Sequence, residues 1–115
     1  MHNYKELEIW KKSISLAEKV YELTSQFPLE EKFGLISQLK RASVSVPSNI
    51  AEGAGRNTKG EFNQFLGIAV GSLFELETQL ILAKRFRFID QIQTEIDEID
   101  NLRKMIFGLQ KSLKQ

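Results

Sequence analysis

The amino-acid sequence predicts an all-α protein, an up-down-up-down four-helix bundle. Apolar residues recur at alternating steps of three and four along four segments, the spacing of one helical face. Capping residues, proline or glycine punctuate those segments, and no alternating strand pattern bounded by hairpin turns occurs. The 115 residues, 42% hydrophobic and 27% charged, suit one globular domain over residues 1–115 with a single core.

In the first helix Leu7, Trp10, Ile14, Ala17, Tyr21 and Thr24 make the expected core stripe, with Asn3 as N-cap and Glu6 three positions on. A second, weaker stripe of Ile9, Leu16 and Leu23 is expected to be exposed and to face a neighbouring copy. Pro28 fits the first turn of the second helix, where its missing N–H costs nothing, and Glu30 and Glu31 suit the positive end of the helix dipole. That helix carries Leu35, Leu39, Ala42, Val46 and Gly53 on one stripe, with Gly55 as a left-handed cap.

Pro47 admits two readings. Either a new helix starts there, or one helix runs from about Leu29 to Ala54 and is kinked at Pro47. The first needs Val46 as N-cap, a poor choice, whereas Ala42, Val46 and Ile50 keep their four-residue steps across the proline. The kinked helix is therefore favoured. Ser43, Ser45, Ser48 and Asn49 lie within a turn of Pro47, able to satisfy loosened backbone groups.

Thr58 with Glu61 is a capping box opening the third helix, whose stripe is Phe62, Phe65, Ala69, Leu73, Leu76, Leu80 and Ala83. Its Gly67 and Gly71 are expected to let the backbone approach Pro47 closely. Arg41, Ser45, Asn49, Glu52 and Arg56 form a polar stripe on the second helix, answered on the third by Ser72, Glu75 and Gln79. An interhelical network is expected there, with Arg41 paired to Glu75. Asp90 starts the fourth helix, which carries Ile92, Ile99, Leu102, Ile106, Leu109 and Leu113.

The residue inventory narrows function. There is no cysteine, and the one histidine, His2, sits at a terminus and is expected to be solvated. Diiron carboxylate chemistry needs an E-x-x-H on each of two helices, and serine-histidine catalysis needs an internal histidine. No P-loop motif occurs, and the glycines of Gly53-Ala54-Gly55-Arg56 follow a helix rather than a strand. No enzyme activity, catalytic residue, metal or cofactor is expected. No unbroken apolar run of membrane length or signal-peptide pattern occurs, so no membrane association and a cytoplasmic location are expected.

The net charge of +1 hides an uneven distribution. Asp90, Glu95, Asp97, Glu98 and Asp100 precede Arg103, Lys104, Lys111 and Lys114, an order that complements the helix dipole. In a bundle this order also brings Lys111 and Lys114 beside Lys5, Arg56 and Lys59. Those five residues are the candidate site for an RNA or DNA backbone, bound electrostatically without base readout.

The stretch KRASVSVPSNIAEGAGR, followed by EFNQFLGIAVGSLFELETQL, resembles the signature of bacterial four-helix bundle proteins first noted in intervening sequences of 23S rRNA genes. LEIW and LTSQFPLEEKFGLISQLKRA match the first two helices of that family, and the resemblance spans about Tyr4 to Ile106. The sequence departs at Arg87, where a glycine is expected before Phe88-Ile89. The family is in turn similar to the accessory variability determinant proteins of diversity-generating retroelements. This resemblance implies a barrel-shaped homopentamer, with nucleic acid and a protein partner such as a reverse transcriptase as candidate partners. It marks Arg41, Ser45, Pro47, Asn49, Glu52, Gly53 and Arg56 as structural signature positions, not catalytic ones. A structural or adaptor oligomer is the alternative function.

Overall fold

A computed structural model describes residues 3–114; His2 lies outside the described residues. Four helices, Glu8–Thr24 (α1), Leu35–Ala54 (α2), Lys59–Arg85 (α3) and Gln93–Leu113 (α4), form a bundle 45 Å long and 22 by 20 Å across. Contacts along each seam run in opposite numerical directions. Gly53 meets Phe62 and Phe65 while Ser45 meets Ser72; Asn63 meets Gln110 while Phe74 lies beneath Arg103. Lys19 pairs with Glu98 and Phe27 packs on Phe88, so α4 runs antiparallel to α1 and closes the bundle. One end therefore holds the α1–α2 and α3–α4 connections. The other holds the α2–α3 turn, the start of α1 and the end of α4.

The core face of α1 differs from the expected one. Ile9, Leu16, Val20 and Leu23 are buried, whereas Trp10, Ile14 and Ala17 are half-buried and Tyr21 is exposed. The buried face includes Ser13, and polarity there is tolerated because its hydroxyl donates to the Trp10 carbonyl at 2.7 Å. Thr24, also buried, donates to the carbonyl of Tyr21 at 3.0 Å. The supposed exposed stripe is thus core, and cannot face a neighbouring copy.

Three helix starts are displaced from the sequence reading. The Asn3 side chain accepts from the Lys5 N–H at 3.2 Å and caps a short 3-10 turn, Tyr4–Glu6; α1 follows only after Leu7. Pro28 precedes a second 3-10 turn, Leu29–Glu31, and the Glu31 carboxylate accepts from the Leu35 N–H at 3.3 Å where α2 begins. Asp90 does not cap α4, which starts after Ile92 without a side-chain cap. By contrast, Thr58 caps α3 as expected, its hydroxyl oxygen accepting from the Glu61 N–H at 3.1 Å.

The second helix runs without a break through Pro47, and Leu35, Leu39, Ala42, Val46, Ile50 and Gly53 are all buried. The close approach between α2 and α3 is made by Gly53, not by Gly67 and Gly71. A Cβ at Gly53 would lie 2.6 Å from the Phe65 Cβ and 3.0 Å from Phe62 Cδ1, while Gly67 and Gly71 are exposed. Gly55 ends the helix at φ −84°, so it is not a left-handed cap.

The left-handed residue is Arg87, at φ 64°. Around it the Phe88 N–H reaches the Ala83 carbonyl at 2.9 Å and the Arg87 N–H reaches Lys84 at 3.0 Å, the pattern of a Schellman cap. Glycine is the usual occupant of that position because a Cβ there crowds the following carbonyl.

Among the described residues α3 is the one helix long and apolar enough to cross a membrane by length and composition. Its Leu66, Ala69, Leu73, Leu76 and Leu80 are core, yet Ile68, Phe74, Ile81 and Leu82 are exposed on the same helix. Scattered polar residues break the apolar run, which is why the sequence reading passes over it.

Candidate functional site

The Asn57 turn brings the end of α2 against the start of α3, and the last turn of α4 comes alongside. Together they leave a cleft of about 380 Å³ lined by Arg56, Asn57, Thr58, Lys59, Ser112 and Leu113, with Phe62 at its floor. The structure thus joins Arg56 and Lys59 to the α4 terminus, where Lys111 and Lys114 are exposed. Lys5 is exposed on the 3-10 turn before α1, its ammonium 5.9 Å from the Tyr4 ring centroid.

These five bases are not equivalent. Arg56 reaches Glu52 at 3.7 Å and Glu61 at 4.0 Å, and its guanidinium sits 4.8 Å from the Phe65 ring centroid. Arg56, one of the five candidate bases, is therefore already engaged. Lys59, Lys111 and Lys114 form no ion pair among the described residues. What the arrangement offers is an open cleft that carries the cations of Arg56 and Lys59 beside the hydroxyls of Thr58 and Ser112. Among the described residues no cluster of His, Cys, Asp or Glu is placed to hold a metal ion.

The signature positions form the α2–α3 seam. The hydroxyls of Ser45 and Ser72 lie 2.8 Å apart, and Asn49 Nδ2 donates to the Ser45 carbonyl at 2.8 Å and to its hydroxyl oxygen at 3.0 Å. The carbonyl that Pro47 leaves without its helical N–H is that of Ser43, so these bonds belong to the seam and do not replace the missing one. Arg41 and Glu75 are both exposed, and no ion pair joins them among the described residues. The expected buried pair is replaced by the neutral serine contact. Two short side chains bridge a seam that Gly53 holds close, whereas long charged ones reach water instead. Gln79 is buried on this helix, with its Oε1 lacking a hydrogen-bond partner.

Three further ion pairs lie along α4, Lys19–Glu98, Arg103–Asp100 and Lys104–Asp100. The Lys19 ammonium contacts Glu98, which raises the lysine pKa mainly through that hydrogen bond. Hydrogen bonds from Arg103 and then Lys104 hold the Asp100 carboxyl below the usual carboxylate range. None of the three belongs to the cleft at the Arg56 end.

The sequence reading misses the exposed rings at the opposite end. Phe33 is 89% exposed and Phe86 is 56% exposed. Both lie where helical periodicity stops, so no stripe flags them; the visible signal is the alternation Lys84-Arg85-Phe86-Arg87-Phe88.

Comparison with known proteins supports the fold and the family. A crystal structure of a protein of unknown function from the S23 ribosomal protein family of Bacteroides thetaiotaomicron superposes with a TM-score of 0.80 at 21% identity, covering 90% of this chain and 98% of that one. No curated protein matches the sequence. The family model of the 23S rRNA-intervening sequence protein matches residues 5–108, nearly the whole chain. This chain belongs to the 23S rRNA-intervening sequence protein family.

Proposed function

We propose that the chain is a non-enzymatic, homo-oligomeric bundle protein that holds an RNA or DNA backbone at its Arg56–Lys59 end. The observation that supports this reading is the cleft in which Arg56 and Lys59 meet the last turn of α4, with Lys111 and Lys114 exposed beside it. Phosphates need positive charge and N–H donors but no shaped pocket, and each protein contact releases condensed counterions. Repeating this end around the homopentameric ring that the resemblance implies multiplies those contacts.

Uncovered apolar surface supports the oligomer. A groove of about 340 Å³ between α1 and α2 is lined by Tyr4, Trp10, Ile14, Ala17, Val44 and Pro47. On α3, Ile68, Phe74, Ile81 and Leu82 are exposed. The two surfaces differ in shape and lie on different helices, which favours a head-to-tail contact that closes into a ring. The same α3 face supports the second reading, an adaptor that docks a protein partner such as a reverse transcriptase.

Titration of a nucleic-acid duplex at several salt concentrations tests the binding reading. Affinity should fall with a slope near −0.9 per phosphate contact, and replacing Lys111 and Lys114 by Gln should flatten the slope by about two units per engaged protomer. Sedimentation equilibrium should show an oligomer. Absence of duplex binding at about 50 mM salt, where phosphate contacts are strong, would leave the adaptor reading.

A further inference from the structure

The end opposite the Arg56 cleft carries features that the backbone-binding reading does not use. Phe33 and Phe86 are solvent-facing, as is Leu29 in the same α1–α2 connection, at 86% exposure. The register set by Ser45 and Ser72 brings Gly34 and Leu35 level with Ala83 and Leu82, so Phe33 lies beside the end of α3. Lys32 precedes Phe33 in the chain, and Lys84, Arg85 and Arg87 flank Phe86; none forms an ion pair among the described residues. The Lys32 ammonium lies 5.5 Å from the Phe33 ring centroid. The acids at this end are Glu22 in the last turn of α1, Glu30, Glu31, Asp90 and Glu95 in the first turn of α4; Glu31 is occupied in capping α2.

Two details show that this surface is held in place. Phe86 stands at the outer end of a ladder of rings: its centroid is 5.8 Å from that of Phe88, which is 5.7 Å from that of buried Phe27. The exposed ring is thus fixed from below. Arg87 occupies the left-handed Schellman position that glycine would fill without strain. A non-glycine residue kept in such a conformation points to use of its side chain.

We propose that this end binds single-stranded nucleic acid, with bases stacked on Phe33 and Phe86 and phosphates on Lys32, Lys84, Arg85 and Arg87. Rings interleaved with unpaired cations are the combination that a flexible polyanion with exposed π faces matches. A duplex gains nothing from the rings because its bases are already stacked. The inference is independent of the duplex reading at the Arg56 end, since it uses different residues and a different form of nucleic acid.

Fluorescence anisotropy with labelled oligo-uridine, oligo-deoxythymidine and a mixed-sequence duplex tests it, using the whole chain. Phe33→Ala and Phe86→Ala should each weaken single-strand binding about tenfold while leaving duplex binding unchanged. Lys111→Gln with Lys114→Gln should do the reverse. Arg87→Gly relieves the turn, so it should raise the melting temperature and at the same time weaken single-strand binding. That opposition separates a binding role from a structural one. Equal losses on single strand and duplex, no loss from either phenylalanine variant, or no single-strand binding by the native chain would each overturn the proposal. Binding to vesicles of phosphatidylglycerol and phosphatidylcholine without binding to strands would overturn it in favour of a lipid surface.

Discussion

The two ends of the bundle carry similar numbers of bases and use them differently. At the Arg56 end one cation, Arg56 itself, is tied to Glu52 and Glu61 and laid over half-buried Phe65, while nearby Phe62 belongs to the core. At the Phe33 end four bases lack ion pairs among the described residues and two rings face solvent. The difference follows from the connections. The α2–α3 turn is short and sits on Gly53, so the chain reverses tightly and its side chains find one another. The α1–α2 connection is longer and includes a 3-10 turn, and the α3–α4 connection opens with a left-handed residue, so side chains there are turned outward. Net charge alone does not distinguish such ends; what distinguishes them is whether each charge is already spoken for.

The largest expected effect comes from closing the tight end sterically. Gly53→Ala places a Cβ within 2.6 Å of the Phe65 Cβ, beside the backbone of α3, where no flexible side-chain tip can yield. Forcing that seam apart should cost about 1–3 kcal/mol, read as a lower urea midpoint at unchanged slope. Gly71→Ala has open space around it and gives the matching exposed change. Since Ala also exceeds Gly in helix propensity, that variant should be neutral or slightly stabilising. Comparable losses at both positions would show that Gly53 is not the point of close approach.

The order of these effects tracks what was legible in the sequence. Local devices read directly: the Thr58 cap on the Glu61 N–H and the buried stripe of α2 depend on neighbours in the chain, and both stand in the structure, although the Glu61 carboxylate meets the Thr58 hydroxyl rather than its backbone N–H. The core face of α1 was not legible. Two apolar stripes lie side by side on that helix, both in helical rhythm, and the true one is interrupted by Ser13. Only the backbone bond from Ser13 to Trp10 makes that interruption harmless, and a hydrogen bond of this kind leaves no mark on periodicity. Glycine identity likewise signalled close approach without saying where, and Gly53 took the role assigned to Gly67 and Gly71. For the candidate site, the expected meeting of Arg56 and Lys59 with the last turn of α4 is present as a cleft. The sequence did not reveal that Glu52 and Glu61 hold Arg56, nor that Phe33 and Phe86 face water. Arg87 is the intermediate case, a visible anomaly whose left-handed backbone explains it.

A middle-sized effect would sharpen the contrast between engaged and free cations. If the acids withhold Arg56 from phosphate, Glu52→Gln with Glu61→Gln should release it. Duplex binding should tighten, and the slope of log affinity against log salt should steepen by about 0.9, the value of one added phosphate contact. Single-strand binding at the Phe33 end should not change. An unchanged duplex slope would mean that Arg56 is held by the Phe65 ring rather than by the carboxylates.

The smallest effect belongs to Asp100, which lies on α4 away from both ends. Its carboxyl pKa is lowered, first by the Arg103 hydrogen bond and then by Lys104. A carboxylate depressed in the folded state adds stability above its unfolded pKa, and that contribution is lost as pH falls through the folded value. Asp100→Asn should therefore lower the melting temperature slightly near neutral pH, and the gap from the native chain should close as acid protonates Asp100. The group is exposed and screened, so the shift should be small. Its use lies in what should stay constant. The substitution raises net charge by one, as any removal of an acid does, without altering either end. Diffuse attraction would tighten both duplex and single-strand binding; localised contacts predict that neither affinity moves.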